Sequence, residues 1–492
     1  MKLVILTDIH FANQSTIPER QSSIADILLL RAVHRINRYI KPDIVAILGD
    51  IIDNPQSPSA IEQYNIIKKI LDILTVPYII IPGNHDIQET DFYKIFDKPD
   101  DINDIANIRL LTFIDSEQPG YNAIREKNNL ERMKTARNNF DGLIITLQHV
   151  PIFPPGTTDC PYNYINADEI IAIMKQYKID LAISGHFHKG FELMKTQSEN
   201  FIAVPALCEQ PFQFVELDIN NTDNINVIYH QLAMPKNLNL IDNHIHTHFA
   251  YCNENMDIQK AKLLAQALGL AEIRFSEHSS HLYWNHIDYS KGIFYREGMK
   301  AANPQHFRID DYFNALKDAN CPQKCVGLEV DCDWKGNPII QPTDEQKTGF
   351  LIGAIHSLPI TKMPEMKNVF ISIHEKFLQH NIKILAHPFR IFRRTNNPTP
   401  QELFKPTVKL LKKHNIAAEI NFHTNEPPAE FIKLCIDAGV KLSLGSDAHN
   451  LYEVGEFYPH LELLKNCGIC HSDLKHIIIN QLNNPTNSSS SP

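Results

Sequence analysis

The sequence predicts an α/β protein of two domains, and three observations support this prediction. Short apolar runs typical of strands alternate with amphipathic stretches typical of helices, which is the pattern of α/β proteins. The chain has 492 residues, more than a single hydrophobic core usually organises. Aspartate, asparagine and histidine residues follow many of the apolar runs, and they do so in both halves of the chain. Because α/β sheets form their sites at the carboxyl ends of strands, two metal centres are expected.

The first domain is predicted over residues 1–234. Five predicted strands alternate with helical stretches at 24–39 and 60–74, and the strands cover 3–6, 44–48, 78–81, 143–147 and 181–183. After residue 190 the pattern changes to strands alone, at 201–206, 213–218 and 226–232. The polar segment 234–237 contains a proline and is a predicted linker.

The second domain is predicted over residues 238–480 from a repeated pattern of a strand followed by a helix. The predicted strands cover 238–242, 272–275, 324–330, 349–355, 382–386, 417–421 and 441–444, and helical runs include 258–268, 406–414 and 429–438. This repetition is typical of a closed or nearly closed α/β barrel. The low-complexity segment 481–492 is predicted to be a disordered tail.

The composition excludes several classes of protein. An apolar fraction of 43% and a charged fraction of 21% are typical of a soluble globular protein. The formal net charge of −10 argues against extended nucleic-acid binding through a broad basic face. No apolar run is long enough for a membrane span, and the N-terminus lacks the pattern of a signal peptide. The predicted location is therefore the cytoplasm, where nine cysteines without framework spacing would stay reduced.

Five short blocks carry the candidate ligands of the first domain. In chain order they contain Asp8 and His10, then Asp50 and Asp53, then Asn84, His85 and Asp86, then His149, and finally His186 and His188. Carboxylate and amide oxygens mixed with imidazoles suit manganese, iron or zinc better than a metal that prefers thiolates. Glycines precede Asp50, Asn84 and His186 and permit tight turns. A central carboxylate such as Asp50 can bridge two metal ions, whereas Asp53 and Asp86 are interpreted as capping or outer groups.

This order of blocks resembles the calcineurin-like metallophosphoesterases over residues 1–232. The resemblance implies two packed sheets flanked by helices, with two divalent ions (manganese, iron or zinc). It implies one ion on Asp8, His10, Asp50 and His188, and a second on Asp50, Asn84, His149 and His186. His85 would be catalytic, stabilising the transition state or protonating the leaving oxygen. Within the family, the chain looks most like the short bacterial cyclic-nucleotide phosphodiesterases.

The second half carries a different set of candidate ligands. They are His244, His246, His278, Glu329, His356, His387, Asp447 and His449. His244 and His246 are two residues apart, which in a strand points both side chains to one side. The set exceeds what one metal can use, and Glu329 can bridge two ions.

These residues resemble the PHP phosphoesterases (the polymerase and histidinol phosphatase superfamily) over residues 238–480, through their His-x-His-Thr, Ala-His-Pro and Ser-Asp-Ala-His blocks. The resemblance implies a distorted (β/α)7 barrel that holds two or three zinc, manganese or iron ions on all eight residues. One departure concerns a further family ligand, usually histidine, whose position falls near Cys252, a possible soft ligand. Arg390 is a candidate phosphate-binding residue, because guanidinium matches phosphate with two bonds; a surface arginine is the alternative.

The predicted protein is an enzyme with two metal-dependent phosphoesterase domains. The first would hydrolyse a phosphodiester such as the 3′,5′-cyclic nucleotide cAMP, and the second a phosphomonoester that can be the product of the first. The expected partner is a small phosphorylated substrate, with a nucleotide as the leading candidate, and the oligomeric state is left open. The alternatives are histidinol phosphatase activity in the second domain, a DNA or RNA nuclease, and a non-catalytic domain in which one centre binds metal for structure.

Overall fold

The structure is a computed structural model, and it describes residues 1–221 and 224–479. The predicted tail 481–492 lies outside the described residues. The chain divides into two compact units, of which the first is Met1–Ala233 and the second begins at Met234. Each unit is described by itself.

The first unit is built on two β-sheets. Its strands are β1 Lys2–Leu6, β2 Ile44–Leu48, β3 Tyr78–Ile81, β4 Ile102–Ile105, β5 Ile108–Thr112, β6 Ser116–Gln118, β7 Asn122–Ile124, β8 Leu143–Leu147, β9 Leu181–Ser184, β10 Phe191–Lys195, β11 Asn200–Ala203, β12 Gln213–Asn221 and β13 Asn224–Gln231. Within the described part, one sheet has the order β13-β12-β1-β2-β3 and the other the order β10-β11-β9-β8-β5-β4. The strands β1, β2 and β3 are parallel, as are β5, β8, β9 and β11. The carboxyl ends of the central strands therefore lie together in each sheet.

The core of this unit lies between the two sheets, where alternate residues of both sheets pack on each other. Leu3 and Ile5 from β1 belong to the same buried cluster as Ile145 from β8 and Ile183 from β9. The helices are α1 Ala25–Arg35, α2 Ala60–Leu71, α3 Glu89–Phe92, α4 Lys127–Thr135 and α5 Ala167–Tyr177. Side chains of α4 and α5 pack on the other face of the second sheet, among them Leu130. The predicted αββα sandwich is confirmed.

Five strands in this unit escaped the sequence prediction, namely β4, β5, β6, β7 and β10. The hairpin of β6 and β7 has three residues in each strand, too few to show alternation of apolar and polar side chains. In β4 the two ends, Ile102 and Ile105, are not fully buried. The hairpin of β6 and β7 reaches the first candidate site.

The second unit contains a sheet of parallel strands. They are β14 Ile241–Ile245, β15 Glu272–His278, β16 Val326–Asp331, β17 Phe350–Ala354, β18 Ile384–Leu385, β19 Ala417–Asn421 and β20 Leu442–Gly445. Among the described residues, the seven strands neighbour one another in chain order. Ile245 also pairs with Ala448, just after β20, in a parallel bridge. The sheet is thus a nearly closed barrel, as predicted.

Helices connect the strands of the barrel. They are α6 Ile258–Ala267, α7 Ser279–Tyr283, α8 His286–Ser290, α9 Ile293–Glu297, α10 Ile309–Asp318, α11 Pro342–Glu345, α12 Glu365–Phe377, α13 Arg390–Arg394, α14 Phe404–His414, α15 Ala429–Asp437, α16 Tyr458–Asn466 and α17 Leu474–Ile477. The sequence did not predict α7, α8 and α9, because five residues make too few turns to show helical periodicity.

The first barrel strand begins later than predicted. Residues Lys236–Leu238 form a 3-10 turn, and the strand covers Ile241–Ile245 in place of 238–242. His244 therefore lies inside the strand, and His246 follows directly after it. Among the described residues, we find no helix with the length and hydrophobicity needed to cross a membrane.

Candidate metal centres

The candidate ligands of the first unit lie together at the carboxyl ends of five strands. Asp8 and His10 follow β1, Asp50 follows β2, Asn84 and His85 follow β3, His149 follows β8, and His186 and His188 follow β9. The first two of these strands and the last two belong to different sheets. The cluster therefore forms where the carboxyl ends of strands from the two packed sheets meet.

One half of the cluster combines Asp8, His10, Asp50 and His188. The Nε2 atoms of His10 and His188 are 3.2 Å apart. His188 Nε2 lies 3.4 Å from Asp8 Oδ1, and His10 Nε2 lies 3.4 Å from Asp50 Oδ2. These two imidazole nitrogens and two carboxylate oxygens face one another. Each of the four atoms can offer a lone pair to a metal ion.

The other half combines Asp50, Asn84, His149 and His186. His149 Nε2 lies 3.1 Å from Asn84 Oδ1, 3.1 Å from His186 Nδ1 and 3.4 Å from Asp50 Oδ2. The same oxygen, Asp50 Oδ2, faces His10 in the first half. Asp50 is therefore shared by the two halves, as a bridging carboxylate would be.

The protonation of this cluster is set by mutual charge. Burial alone would raise the pKa of Asp50, but the charge of His149 and its hydrogen bond outweigh burial and hold that pKa well below its ordinary value. Burial would lower the pKa of His149, but Asp50 and Asp8 raise it to about 9. Burial and the charge of His149 lower the pKa of His186 to about 4. The carboxylates thus stay ionised and attract positive charge.

Outer contacts orient three of these imidazoles. His149 Nδ1 donates to the Leu48 carbonyl oxygen at 2.6 Å, and His188 Nδ1 donates to Glu209 Oε1 at 2.5 Å. His186 Nε2 donates to the Tyr121 carbonyl oxygen at 3.1 Å. Each bond fixes which ring nitrogen faces the cluster. Sequence reasoning missed Glu209, since no motif connects it with His188.

The two aspartates that were left as capping or outer groups lie beside the cluster. Asp53 forms an ion pair with Arg20 at 2.9 Å and lies 3.4 Å from His10 Nδ1. Asp86 accepts bonds from the backbone N–H groups of Ile51 and Gly83. Both therefore act as outer groups.

The second cluster is centred on Glu329 in β16, which lies among five imidazoles. Its Oε1 atom is 2.9 Å from His387 Nε2, 3.4 Å from His356 Nε2 and 3.6 Å from His244 Nε2. Its Oε2 atom is 2.5 Å from His278 Nδ1 and 3.7 Å from His246 Nε2. Each oxygen of this carboxylate therefore faces a different group of histidines.

Asp447 completes the set at the closure of the barrel. Its Oδ1 atom lies 3.0 Å from His246 Nε2 and 3.5 Å from His244 Nε2. The backbone N–H of Asp447 donates to the His244 carbonyl oxygen at 2.8 Å, so pairing across the seam of the barrel places these residues. His449 donates from Nδ1 to the Asp447 carbonyl oxygen at 2.8 Å.

Carboxylates behind the second cluster orient its imidazoles. His244 Nδ1 donates to Glu419 at 2.7 Å, His246 Nδ1 to Glu277 at 3.2 Å, and His356 Nδ1 to Asp331 at 2.7 Å. Asp447 and Glu277 outweigh the effect of burial and raise the pKa of His246 to about 9. Sequence reasoning missed Glu419 and Asp331, since no motif connects them with the histidines that they contact.

Arg390 and Cys252 lie in different environments. The Arg390 guanidinium is buried and donates to Asp447 Oδ2 at 2.6 Å, to His387 Nε2 at 2.5 Å and to His356 Nε2 at 3.1 Å. Arg390 is therefore part of the cluster and not a surface arginine. Cys252 is exposed, and its Sγ lies 3.6 Å from His278 Nε2.

Both clusters fit divalent cations by the chemistry of their donors. Buried atoms with no hydrogen-bond partner include Asp8 Oδ1 in the first cluster and His244 Nε2 in the second. Leaving such atoms unpaired is costly, and a cation would pair them. Several groups of three ligand atoms lie within 4.8 Å of one another, among them those of Asp8, His10 and His188, of Asp50, His149 and His186, and of His246, His278 and His449.

Comparison with known families agrees with this geometry. Residues 1–190 match the model of the calcineurin-like phosphoesterases, and residues 242–423 match the model of the PHP domain. The chain joins a calcineurin-like phosphoesterase domain to a PHP domain. It is a metal-dependent hydrolase that acts on phosphoric esters.

Curated relatives carry names from the same chemistry. A probable cyclic nucleotide phosphodiesterase of Xenorhabdus bovienii is 26% identical over 205 residues, which are 38% of this chain and 78% of that protein. A probable glycerophosphodiester phosphodiesterase of Arcobacter nitrofigilis is 26% identical over 202 residues, 38% of this chain and 72% of that protein. The crystal structure of a dimetal phosphatase from Danio rerio superposes with a TM-score of 0.36 at 14% identity, covering 46% of this chain and 98% of that one.

Proposed function

We propose that the calcineurin-like domain hydrolyses a phosphodiester, a 3′,5′-cyclic nucleotide such as cAMP, and that the PHP domain hydrolyses a phosphomonoester. The observation that carries the proposal is the same in both domains. One buried carboxylate, Asp50 or Glu329, lies between two sets of imidazoles. Such an arrangement holds two cations close together, as in phosphoryl-transfer sites with two metals.

In the first domain, the proposal assigns one divalent ion to Asp8, His10, Asp50 and His188 and a second to Asp50, Asn84, His149 and His186. The bound ions would supply Lewis-acid polarisation of the phosphoryl group. His85 Nδ1 donates to the Asp53 carbonyl oxygen at 2.9 Å, which leaves Nε2 for the substrate. The proposed role of His85 is to bind a phosphoryl oxygen or to protonate the leaving oxygen.

In the second domain, the proposal assigns two or three ions to the eight candidate ligands, with Cys252 as a further soft ligand. Arg390 binds the phosphate of the substrate, because its guanidinium already lies among the acceptors of the cluster. A phosphomonoester carries more negative charge than a diester, so a buried arginine favours it.

The surroundings of the first centre favour a diester. A cavity of about 360 Å³ opens beside Asn84 and His149, and no lysine or arginine is found among the described residues that line it. A phosphodiester carries a single negative charge and needs no such cation beyond the metals. The names of the two phosphodiesterase relatives support the same choice.

Two variants of the full chain test the assignment to separate domains. Asp50→Ala should lower hydrolysis of bis(p-nitrophenyl) phosphate by more than about 100-fold, since losing even an outer partner of a metal site costs roughly 10–100-fold. Glu329→Ala should do the same to hydrolysis of p-nitrophenyl phosphate. Asp50→Ala should keep the monoesterase activity, and Glu329→Ala should keep the diesterase activity. The controls Asp168→Ala and Glu430→Ala remove exposed carboxylates and should keep both activities. Unchanged diesterase activity in Asp50→Ala would contradict the proposal.

A second measurement tests whether the two activities act in sequence. Wild-type protein incubated with cAMP should release inorganic phosphate, whereas Glu329→Ala should accumulate AMP. Accumulation of AMP by the wild type without phosphate release would show that the second domain acts on an unrelated ester. Assay with histidinol phosphate distinguishes that alternative.

A further inference from the structure

Two tyrosines form an aromatic corner beside the first centre. The rings of Tyr121 and Tyr162 are 6.2 Å apart at an interplanar angle of 85°. The Tyr162 ring lies 4.6 Å from the ring of His186, and the Tyr121 ring lies 6.4 Å from it. Tyr121 is 54% exposed, although it lies beside a buried cluster. The corner therefore adjoins a candidate ligand on one side and is open to solvent on the other.

The backbone fixes the position of this corner. Tyr121 has a φ of +59° at the turn of the hairpin between β6 and β7, a conformation that costs a non-glycine residue about 1 kcal/mol or more. Its carbonyl oxygen accepts the bond from His186 Nε2. The hairpin is also bonded to the segment that carries Tyr162, because the Ala123 N–H donates to the Asn163 carbonyl oxygen at 3.2 Å. Both rings are thus held by the elements that build the centre.

The cavity beside the corner has a charge pattern that selects its occupant. Tyr121 lines the cavity of about 360 Å³ that also contains Asn84 and His149. Of its acidic residues, Asp115 is paired with Arg125 and Glu89 with Lys98. Glu117 also lines the cavity, where its carboxylate could accept bonds from N–H groups of a ligand. A flat, uncharged group with N–H donors fits this cavity better than a second phosphate.

We propose that Tyr121 and Tyr162 bind the nucleobase of the phosphodiester substrate, with the base stacked on the Tyr121 ring while the phosphate lies on the first centre. This inference rests on the proposed diesterase function of that centre. Stacking of one base on an aromatic side chain changes affinity by roughly 5- to 150-fold. The corner would thus select nucleotide diesters over diesters whose groups are aliphatic.

Two replacements at one position isolate the ring. Tyr121→Leu and Tyr121→Phe face the same backbone conformation, but only phenylalanine keeps the aromatic face. For cAMP, Tyr121→Leu should lower kcat/KM by about 10- to 100-fold, mainly through KM. Tyr121→Phe should stay within about threefold of the wild type. Glycerophosphoethanolamine has no ring. For this diester, the loss of kcat/KM in Tyr121→Leu relative to the wild type should be at least about tenfold smaller than the loss for cAMP. Tyr162→Leu should shift the cAMP ratio in the same direction.

The outcomes separate this inference from the proposed function. Equal losses on both diesters in Tyr121→Leu, or no loss on either, would overturn the corner as a base-binding site while leaving the diesterase intact. Wild-type hydrolysis of glycerophosphoethanolamine without hydrolysis of cAMP would do the same. If the wild type hydrolysed neither these diesters nor bis(p-nitrophenyl) phosphate, the proposed function itself would fall, and the inference with it. Metal content and melting temperature, measured for each variant, identify a variant that has lost its fold.

Discussion

Individual residues of both centres adopt backbone conformations that most side chains avoid. Asp8, His10, Asp50 and His186 in the first domain and His387 and Asp447 in the second have φ values between +29° and +63°. Left-handed conformations are costly for residues other than glycine, although aspartate and histidine tolerate them better than most. Such strain persists only where surrounding structure holds it, and it is common at functional sites. The strands and their hydrogen bonds therefore hold the side chains in place before any ligand arrives.

At this scale, Glu209 tests how much an outer partner contributes. We expect Glu209→Ala to weaken metal binding to the first domain by roughly 10- to 100-fold, because His188 then loses the acceptor that orients its ring. Metal titration of the apoprotein measures the effect. Glu192→Ala removes an exposed carboxylate from the same domain and is the matched control. Equal metal affinity in Glu209→Ala and wild type would mean that Asp8 alone orients His188.

At the scale of elements, the turns after the strands bring distant residues close to the centres. Gly49, between β2 and Asp50, has a φ of +96°, and a Cβ atom there would lie 2.6 Å from the backbone nitrogen of Gly83 and 2.8 Å from His149 Nδ1. No side chain fits between the two loops. The glycine noted in the sequence before Asp50 is therefore required both by conformation and by space.

This turn gives a second prediction. Gly49→Ala should lower diesterase activity by at least about tenfold, since displacing a catalytic group by about 1 Å can cost roughly 100-fold. Gly156→Ala is the matched control, because Gly156 also has a positive φ (+79°), but a Cβ atom added there would have no other atom within 4 Å. Steady-state kinetics on both variants separates the clash from the backbone strain. A similar loss in both would show that strain, not the clash, is responsible.

In the whole molecule, each domain has its own core and its own cluster of buried, ionised ligands. Without bound ions, buried atoms such as Asp8 Oδ1 and His244 Nε2 have no hydrogen-bond partner. Ligands that bind only the folded state stabilise it by about 2.7 kcal/mol at 100 times their dissociation constant. Metals should therefore contribute to the stability of both domains.

Chelation tests this expectation. Dialysis against EDTA should lower the melting temperature of the wild type, and manganese or zinc should restore it. Asp50→Ala should lose ions at the first centre only, and Glu329→Ala should lose ions at the second centre only. Elemental analysis should therefore find fewer ions in each variant than in the wild type. An unchanged melting temperature after complete metal removal would refute a stabilising role.

The sequence by itself determined the fold class, the order of the strands before the candidate ligands and the types of ligand at each strand end. These features depend on local patterns: apolar runs of strand length, glycines at turns, and short blocks such as Gly-Asn-His. Physically, side-chain periodicity and turn chemistry act over a few residues, so they can be read along the chain.

Only the tertiary structure decided which candidate ligands lie close together and which outer groups contact them. His244 and Glu419 are 175 positions apart yet form a bond of 2.7 Å, and the hairpin that carries Tyr121 was not predicted at all. The pairing across the barrel seam places His244 beside Asp447, and the two sheets place Asp50 between His10 and His149. Such distances follow from strand pairing and core packing between remote segments, and local sequence patterns carry no information about them.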